Sequence, residues 1–345
     1  FHGKVGHSGR HHYGAYVPEE VIILGGGGLQ QTMDLDQVEE FLENRPENAP
    51  PLALFIGWTD THTAWPAKED ARISPDDVVL PARIYDTPET RVEMTRYIEG
   101  AEAIDRRLGQ TRELIAKHLD PTNTLTVYSS DHGMPWPFGK WSLYEAGIRT
   151  SLIAAWPGKI KPATTTDAMV SWIDLVPTLI DLAGGTNPEG IDGRSIAGVL
   201  FGQTNRHRDE IFATHKGDNE KNDYPIRSVR VGPWKYILNL HPEFAFTTHT
   251  DVWAKEDPMT DRLWSHAGHH WDCYLAAAET DPAAAAFLRD YHSNPAEELY
   301  HLDHDPFEEN NLAADPKHAS QLRVLRFKIE QRMIEVADDK SLSGP

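Results

Sequence analysis

The chain has 345 residues, 39% of them hydrophobic, which suffices for one large domain and a smaller one. Its 53 acidic residues outweigh 33 basic ones, leaving a formal charge of −20. That balance argues against nucleic acid and against an anionic membrane surface as partners, yet a local lysine pocket or a bound cation can still hold a small anion. A single cysteine, Cys273, excludes an internal disulfide, and no apolar run is long enough for a membrane-spanning helix.

In chain order, Phe1 to Tyr16 is rich in Gly and His and reads as a loop, with Lys4 and His7 three apart between glycines. Both can donate to an oxyanion. Val21–Leu24 is an apolar run that stops at Gly25–Gly28. No Gly-Lys-Ser/Thr follows, so the tetraglycine reads as a turn and not as a phosphate loop. Helical spacing of Leu35, Val38, Phe41 and Leu42 predicts a helix over Asp34–Asn44. Pro51–Gly57 predicts a buried strand delivering Asp60 and His62 to the loop that follows it. Thr87 and Pro88 open a long helical pattern that ends at Leu119.

Leu125–Ser129 predicts a second buried strand, ending in Asp131 and His132. This pair offers an oxygen and a nitrogen to one cation, and Gly133 lets the backbone turn away at once. Lys140 follows nearby and can neutralise an anion that the cation holds. Ser151–Trp156 predicts a third buried strand, and Asp174–Ala183 a helix with Leu175, Leu179 and Leu182 on one face. Tyr224–Leu240 alternates like antiparallel strands, an Ala-rich helical stretch lies before Tyr300, and Lys317–Val336 predicts an amphipathic closing helix. Alternating helices and strands give an α/β class, with a domain boundary expected near residue 210, so 1–210 and 211–345.

Together these loops outline an anion-binding metal site without a nucleophile and with too few carboxylates for a hard cation. In this order they resemble the type I, formylglycine-dependent sulfatases of the alkaline-phosphatase superfamily. The resemblance is carried by Gly3–His7, by His62, by Ser130–Gly133 with Lys140, by Leu143-Tyr-Glu-Ala-Gly-Ile-Arg149, by Val170–Ala183 and by Asp192-Gly-Arg-Ser195. Tyr85–Arg91, Tyr224–Arg230 with Lys235–Ile237, and Pro295–Tyr300 with Asp305-Pro306 and Asn311-Leu312 resemble the sulfamidase and iduronate-sulfatase branch.

The resemblance implies an alkaline-phosphatase-like central mixed sheet flanked by helices, with a smaller C-terminal α+β subdomain. It implies one calcium ion on Asp131 and His132, sulfate bound by Lys4 and Lys140, His7 assisting a formylglycine nucleophile, and His62 protonating the leaving group. His215 and Arg227 fall where the branch places substrate contacts. The substrate implied is a sulfated mono-, oligo- or polysaccharide. With one cysteine and no N-glycosylation sequon, a bacterial periplasmic or extracellular setting is expected. The family's Cys/Ser-x-Pro-Ser-Arg motif and its early paired aspartates are not found. Both precede the Gly-Lys motif in the family, so a partial sequence is expected. The competing reading is a two-zinc phosphodiesterase or phosphonate hydrolase of the same superfamily, which Ser130–Met134 also resembles, and the third is a binding scaffold without catalysis.

Overall fold

The structure is a computed structural model. It describes residues 35–62, 65, 72–217, 224–248, 250–251 and 269–338, together with the backbone of 2–3. The expectations placed on Lys4, His7, Val21–Leu24 and Gly25–Gly28 lie outside the described residues. The chain divides into two compact units, one formed by Phe1–Val78 and Arg91–Thr124 and the other by Val79–Thr90 and Leu125–Pro345. Within the second unit, Glu145 pairs with Arg230 and Lys235 across the position near residue 210 where a boundary is expected.

In the first unit, strand β1 (His2–Gly3) pairs in parallel with β2 (Ile56–Gly57), and α1 spans Leu35–Glu43. Val38 and Leu42 of α1 are buried among Leu54, Ile56, Trp58, Leu114 and Leu119. The predicted strand over 51–57 is ladder-paired only at its last two residues, and Leu52 and Phe55 stay exposed. Helix α2 (Pro88–His118) starts as its sequence requires, the Thr90 N–H donating to Thr87 Oγ1 at 3.0 Å.

The second unit contains β3 (Thr126–Ser129) antiparallel to β4 (Leu152–Ala155), with the short helix α3 (Glu145–Ile148) between them. Both strands were expected to be buried, yet Val127 and Ile153 are exposed. An apolar run becomes a fully covered strand only where layers lie over both faces, and a two-stranded ladder does not supply them. Helices α4 (Leu175–Leu182) and α5 (Ala197–Leu200) follow. The face of α4 that turns inward is set by Asp174, Pro177 and Thr178, while Val176 and Leu179 are exposed, so the leucine stripe is not its buried side.

The C-terminal sheet is packed on both faces. Its strands β5 (Glu210–His215), β6 (Ile226–Val231), β7 (Trp234–Asn239) and β8 (Glu297–His301) form an antiparallel meander in the order 5-6-7-8. Among the described residues, helices α6 (His269–Ala278) and α7 (Pro282–His292) lie between β7 and β8, and α8 (Ala319–Glu335) follows β8. Period-2 alternation buries Val229, Tyr236 and Leu299 against Leu322, Leu325, Ile329 and Met333 of α8. The opposite face packs Ile226, Ile237 and Tyr300 against Phe138, Tyr144 and the aromatic rings of α6 and α7.

Candidate functional site

Strand β3 carries the chain to the candidate site. Its last residue, Ser129, pairs with Leu152, and Ser129 Oγ donates to the Ser151 carbonyl at 2.6 Å. Asp131 and His132 follow immediately. The Asp131 carboxylate Oδ2 lies 3.5 Å from His132 Nε2, and Asp131 Oδ1 accepts from the His132 N–H at 3.0 Å. His132 Nδ1 stands 2.8 Å from the Gly133 carbonyl, which can only accept, so Nδ1 carries a proton and Nε2 is turned to the Asp131 side. This is the arrangement by which an imidazole is oriented as a metal ligand.

The backbone makes that geometry obligatory. A Cβ on Gly133 would stand 1.8 Å from the Ala146 carbonyl oxygen, while the Gly133 N–H donates to the Gly147 carbonyl at 2.8 Å. A Cβ on Gly139 would meet the Met134 carbonyl at 2.3 Å, and one on Gly147 the Gly139 carbonyl at 2.5 Å. Three glycines thus allow backbone against backbone along one compact loop. Phe138 and Trp141 take left-handed conformations, with φ of 61° and 70°, which cost about 1 kcal/mol or more each for non-glycine residues. Between them stands Lys140. Its N–H donates to the Met134 carbonyl at 2.9 Å, and its ammonium lies 4.6 Å over the Trp141 ring. Gly133→Ala is expected to destabilise the fold by about 2–3 kcal/mol, because the carbonyl it would strike belongs to packed backbone. Thermal unfolding of the variant checks this, and an unchanged midpoint would refute the close approach.

The loop is anchored from below by buried charges whose partners lie far away in the chain. Glu145 is buried, with Arg230 Nη1 at 2.7 Å and Lys235 Nζ at 3.1 Å. Lys235 has no exposed side-chain surface and also faces Glu308 at 3.0 Å. Glu308 in turn accepts the Glu145 N–H at 2.6 Å. Burial pushes the Glu308 carboxyl up, against the pull of Lys235. Beside them Glu298 accepts hydroxyls from Tyr144 at 2.7 Å and Tyr300 at 2.5 Å, and burial raises its carboxyl too. Arg83 caps the group, 3.8 Å over the Phe138 ring and 4.2 Å over Tyr144. The one legible signal was Lys235, near the start of an otherwise largely apolar strand, where only a paired charge is tolerated.

The remaining sequence candidates are distributed as follows. His62 lies in the first unit, half-buried, its N–H donating to the Thr59 carbonyl at 2.7 Å. Its loop is tied to α2 by the Arg107–Asp60 ion pair. His215 ends β5. Arg227, on β6, donates Nη1 to the His215 carbonyl at 3.1 Å and holds Asp338 through Nη2 at 2.8 Å. That bond keeps the Asp338 carboxyl below its usual range. The Arg227 guanidinium is buried and spent on the end of the chain. The one group of three carboxylate or imidazole ligands within metal-binding reach among the described residues is Glu39, Glu43 and His118, in the first unit. Lys117 already bridges Glu39 and Glu43, so that group reads as a solvated ion cluster.

The chain matches the family model "Sulfatase" over residues 13–185, half of its length, and the model "N-sulphoglucosamine sulphohydrolase, C-terminal" over residues 130–261. The chain belongs to the sulfatase family. An "Ulvan-active sulfatase" of Formosa agariphila is 28% identical to this sulfatase-family chain over 293 residues, 83% of the chain and 52% of the relative. Human "N-sulphoglucosamine sulphohydrolase" is 26% identical over 76% of the chain and 52% of its own length. A structure solved as a candidate sulfatase from Bacteroides fragilis superposes with a TM-score of 0.62 at 17% identity, covering 88% of this chain and 58% of that one. These neighbours carry the alkaline-phosphatase-like fold, so the mixed helix-and-sheet class with a small C-terminal sheet holds. The chain spans about half the length of the curated relatives it matches. Within this sulfatase-family frame, the Asp131-His132 turn lies inside both matched regions, and the β5–β8 sheet begins beyond the first of them.

Proposed function

We propose that the chain is the cation- and sulfate-handling part of a sulfatase that hydrolyses O-sulfate esters or N-sulfates of sulfated carbohydrate and releases inorganic sulfate. One observation carries the reading. The Asp131 carboxylate and the His132 imidazole converge within 3.5 Å at a strand end that Gly133 makes rigid, with Lys140 in the same loop. The names of relatives acting on ulvan and on N-sulphoglucosamine support it. So does a structural neighbour solved with D-glucosamine-2-N,6-O-disulfate, whose likeness at 21% identity concerns the fold.

In this reading Asp131 and His132 supply two of the ligands of one calcium ion. The donor set fits as part of a site: one hard oxygen and one ring nitrogen whose orientation is fixed by the bond of Nδ1 to the Gly133 carbonyl. When bound, the ion supplies positive charge for the sulfuryl oxygens. Lys140 adds a cation from the same loop, and Lys4 is its proposed counterpart. His62 delivers the proton to the departing oxygen or nitrogen, and His7 serves the formylglycine nucleophile. No residue of 1–345 stands in the Cys/Ser-x-Pro-Ser-Arg context, so formylglycine is proposed for the whole enzyme and not for Cys273. His215 is retained as a substrate contact. For Arg227 the proposed part is positional, because it orders the β5–β6 edge beneath His215. A periplasmic or extracellular site of action is proposed, and no described helix is long and apolar enough to cross a membrane.

Calcium titration by calorimetry tests the site directly. Asp131→Asn keeps the shape and removes the charge, and is expected to weaken calcium binding about 10-fold or more. Equal affinity in the variant would remove Asp131 from the site. Sulfate release from D-glucosamine-2-N,6-O-disulfate, followed by ion chromatography on the whole enzyme, tests the activity. Two tightly held zinc ions with cleavage of a phosphodiester would favour the phosphodiesterase reading instead.

A further inference from the structure

Lys140 sits in a turn with an aromatic residue at each end, Phe138 before it and Tyr144 after it. Ser142 closes the turn: its N–H donates to the Gly139 carbonyl at 3.0 Å, and its hydroxyl donates to the same carbonyl at 2.6 Å. The Lys140 N–H donates to the carbonyl of Met134, the residue after Gly133, so the turn and the Asp131-His132 bend are joined backbone to backbone. Phe138 and Trp141, on either side of Lys140, are the two left-handed residues of this stretch. Such conformations persist where the surroundings over-determine them.

Part of what over-determines this turn comes from a distant point in the chain. The Arg83 guanidinium lies 3.8 Å from the centre of the Phe138 ring and 4.2 Å from that of Tyr144, so one planar cation covers both ends of the turn. The two rings also meet edge to face, with centres 6.1 Å apart. Arg83 Nη1 donates to the Glu308 carbonyl at 2.9 Å, which fixes the plane of the guanidinium. Arg83 itself holds φ at 62°, a third left-handed residue in the same assembly. A guanidinium suits this place because it is flat, delocalised and weakly hydrated, and so stacks on ring faces as an ammonium cannot. An aliphatic side chain would fill the space, but without the attraction to both rings or the bond to Glu308.

We propose that Arg83 is a positioning residue of the anion site: by clamping Phe138 to Tyr144 it holds the Lys140 ammonium where a sulfate oxygen meets it. The proposal rests on the sulfatase reading, in which Lys140 binds sulfate, and adds a residue that acts through Lys140 without touching substrate. Asp131 and His132 are set by the end of β3 and by the Gly133–Gly147 bond. Loss of the clamp therefore bears on sulfate far more than on calcium.

Calorimetry on the full chain, at a temperature where circular dichroism shows every variant folded, compares the parent with Arg83→Gln and Arg83→Lys. Inorganic sulfate, titrated in calcium-containing buffer, is expected to bind about 5- to 10-fold more weakly to Arg83→Gln. Calcium, titrated without sulfate, should change less than about 2-fold. Arg83→Lys keeps a cation that can cover one ring, and should recover part of the lost sulfate affinity. Sulfate affinity undiminished in both folded variants overturns the positioning role and leaves the sulfatase reading intact. Equal losses for sulfate and calcium overturn it as well, since Arg83 would then support the fold at large and not Lys140. A parent chain that binds no sulfate overturns the reading of Lys140 and the proposal with it. If Arg83→Gln does not fold, Arg83→Lys carries the same comparison, with a sulfate loss of about 3-fold expected and an unchanged affinity as the refuting result.

Discussion

Replacing Lys235 by alanine is expected to destabilise the chain by about 3–5 kcal/mol, the usual consequence of leaving buried carboxylates without their counter-ion. Lys235 is the only cation facing both Glu145 and Glu308 in the described network, and its side chain has no exposed surface. Removing it leaves the Glu308 carboxyl, which burial already pushes upward, without the ammonium that pulls it down, while Arg83 reaches only the Glu308 backbone carbonyl. Arg230 would still reach Glu145, but from a partly exposed position. Urea unfolding followed by circular dichroism checks the size. The double variant Lys235→Met/Glu308→Gln should recover part of the loss, because it removes the stranded charge as well as its partner. A single variant within 1 kcal/mol of the parent, well under the ~3 kcal/mol expected, would show the network to be dispensable. Glu145 opens α3, whose Gly147 carbonyl receives the Gly133 N–H, so binding at the proposed calcium site should weaken together with stability.

Asp174→Ala is expected to cost a similar amount, about 3–5 kcal/mol, for a different reason. The Asp174 carboxylate has no exposed surface. It accepts from Ser171 N–H and Arg194 N–H at 2.9 Å each and from Arg208 Nε at 2.8 Å, with a second bond from Arg208 Nη2. It thereby ties three stretches of chain: the start of α4, the Asp192–Ser195 segment and the approach to β5. Burial alone would raise its pKa. The Arg208 guanidinium and the two backbone N–H groups win and hold it down at about 2, against 3.8 in the unfolded chain. A depressed carboxyl pKa contributes stability above the unfolded value and loses it as pH falls through the folded one. The shift corresponds to ~2 kcal/mol, present in full above about pH 4 and lost between about pH 4 and pH 2. The stability gap between the parent and Asp174→Asn, measured by urea midpoints, should therefore narrow as pH drops through that window. A gap independent of pH would mean that Asp174 is not ionised in the fold.

Much of the local architecture could be read from residue order. The helix over 88–118 announced itself through Thr87 and Pro88, and the strand pair β6–β7 through its alternation. The closing helix showed as a periodic stripe, now seen as the buried face of Leu322, Leu325, Ile329 and Met333. These signals are local because caps and amphipathic periods depend only on neighbours within a turn or a pleat. Strand burial was overstated at Val127, Ile153 and Phe55, since an apolar run reports suitability for a core and not the presence of covering layers.

The sequence by itself determined the sulfatase family, the α/β class and the Asp131-His132-Gly133 turn, because short motifs carry their chemistry in adjacent residues. Tertiary structure alone decided what Lys235, Glu145, Glu308 and Asp174 do. Each meets its partner across a large gap in the chain: 90 residues between Glu145 and Lys235, 163 between Glu145 and Glu308, and 34 between Asp174 and Arg208. It also decided that Arg227 is spent on Asp338, 111 residues away. Charge pairing in a core is fixed by which groups lose their water together, and that is a property of the folded packing and not of residue order.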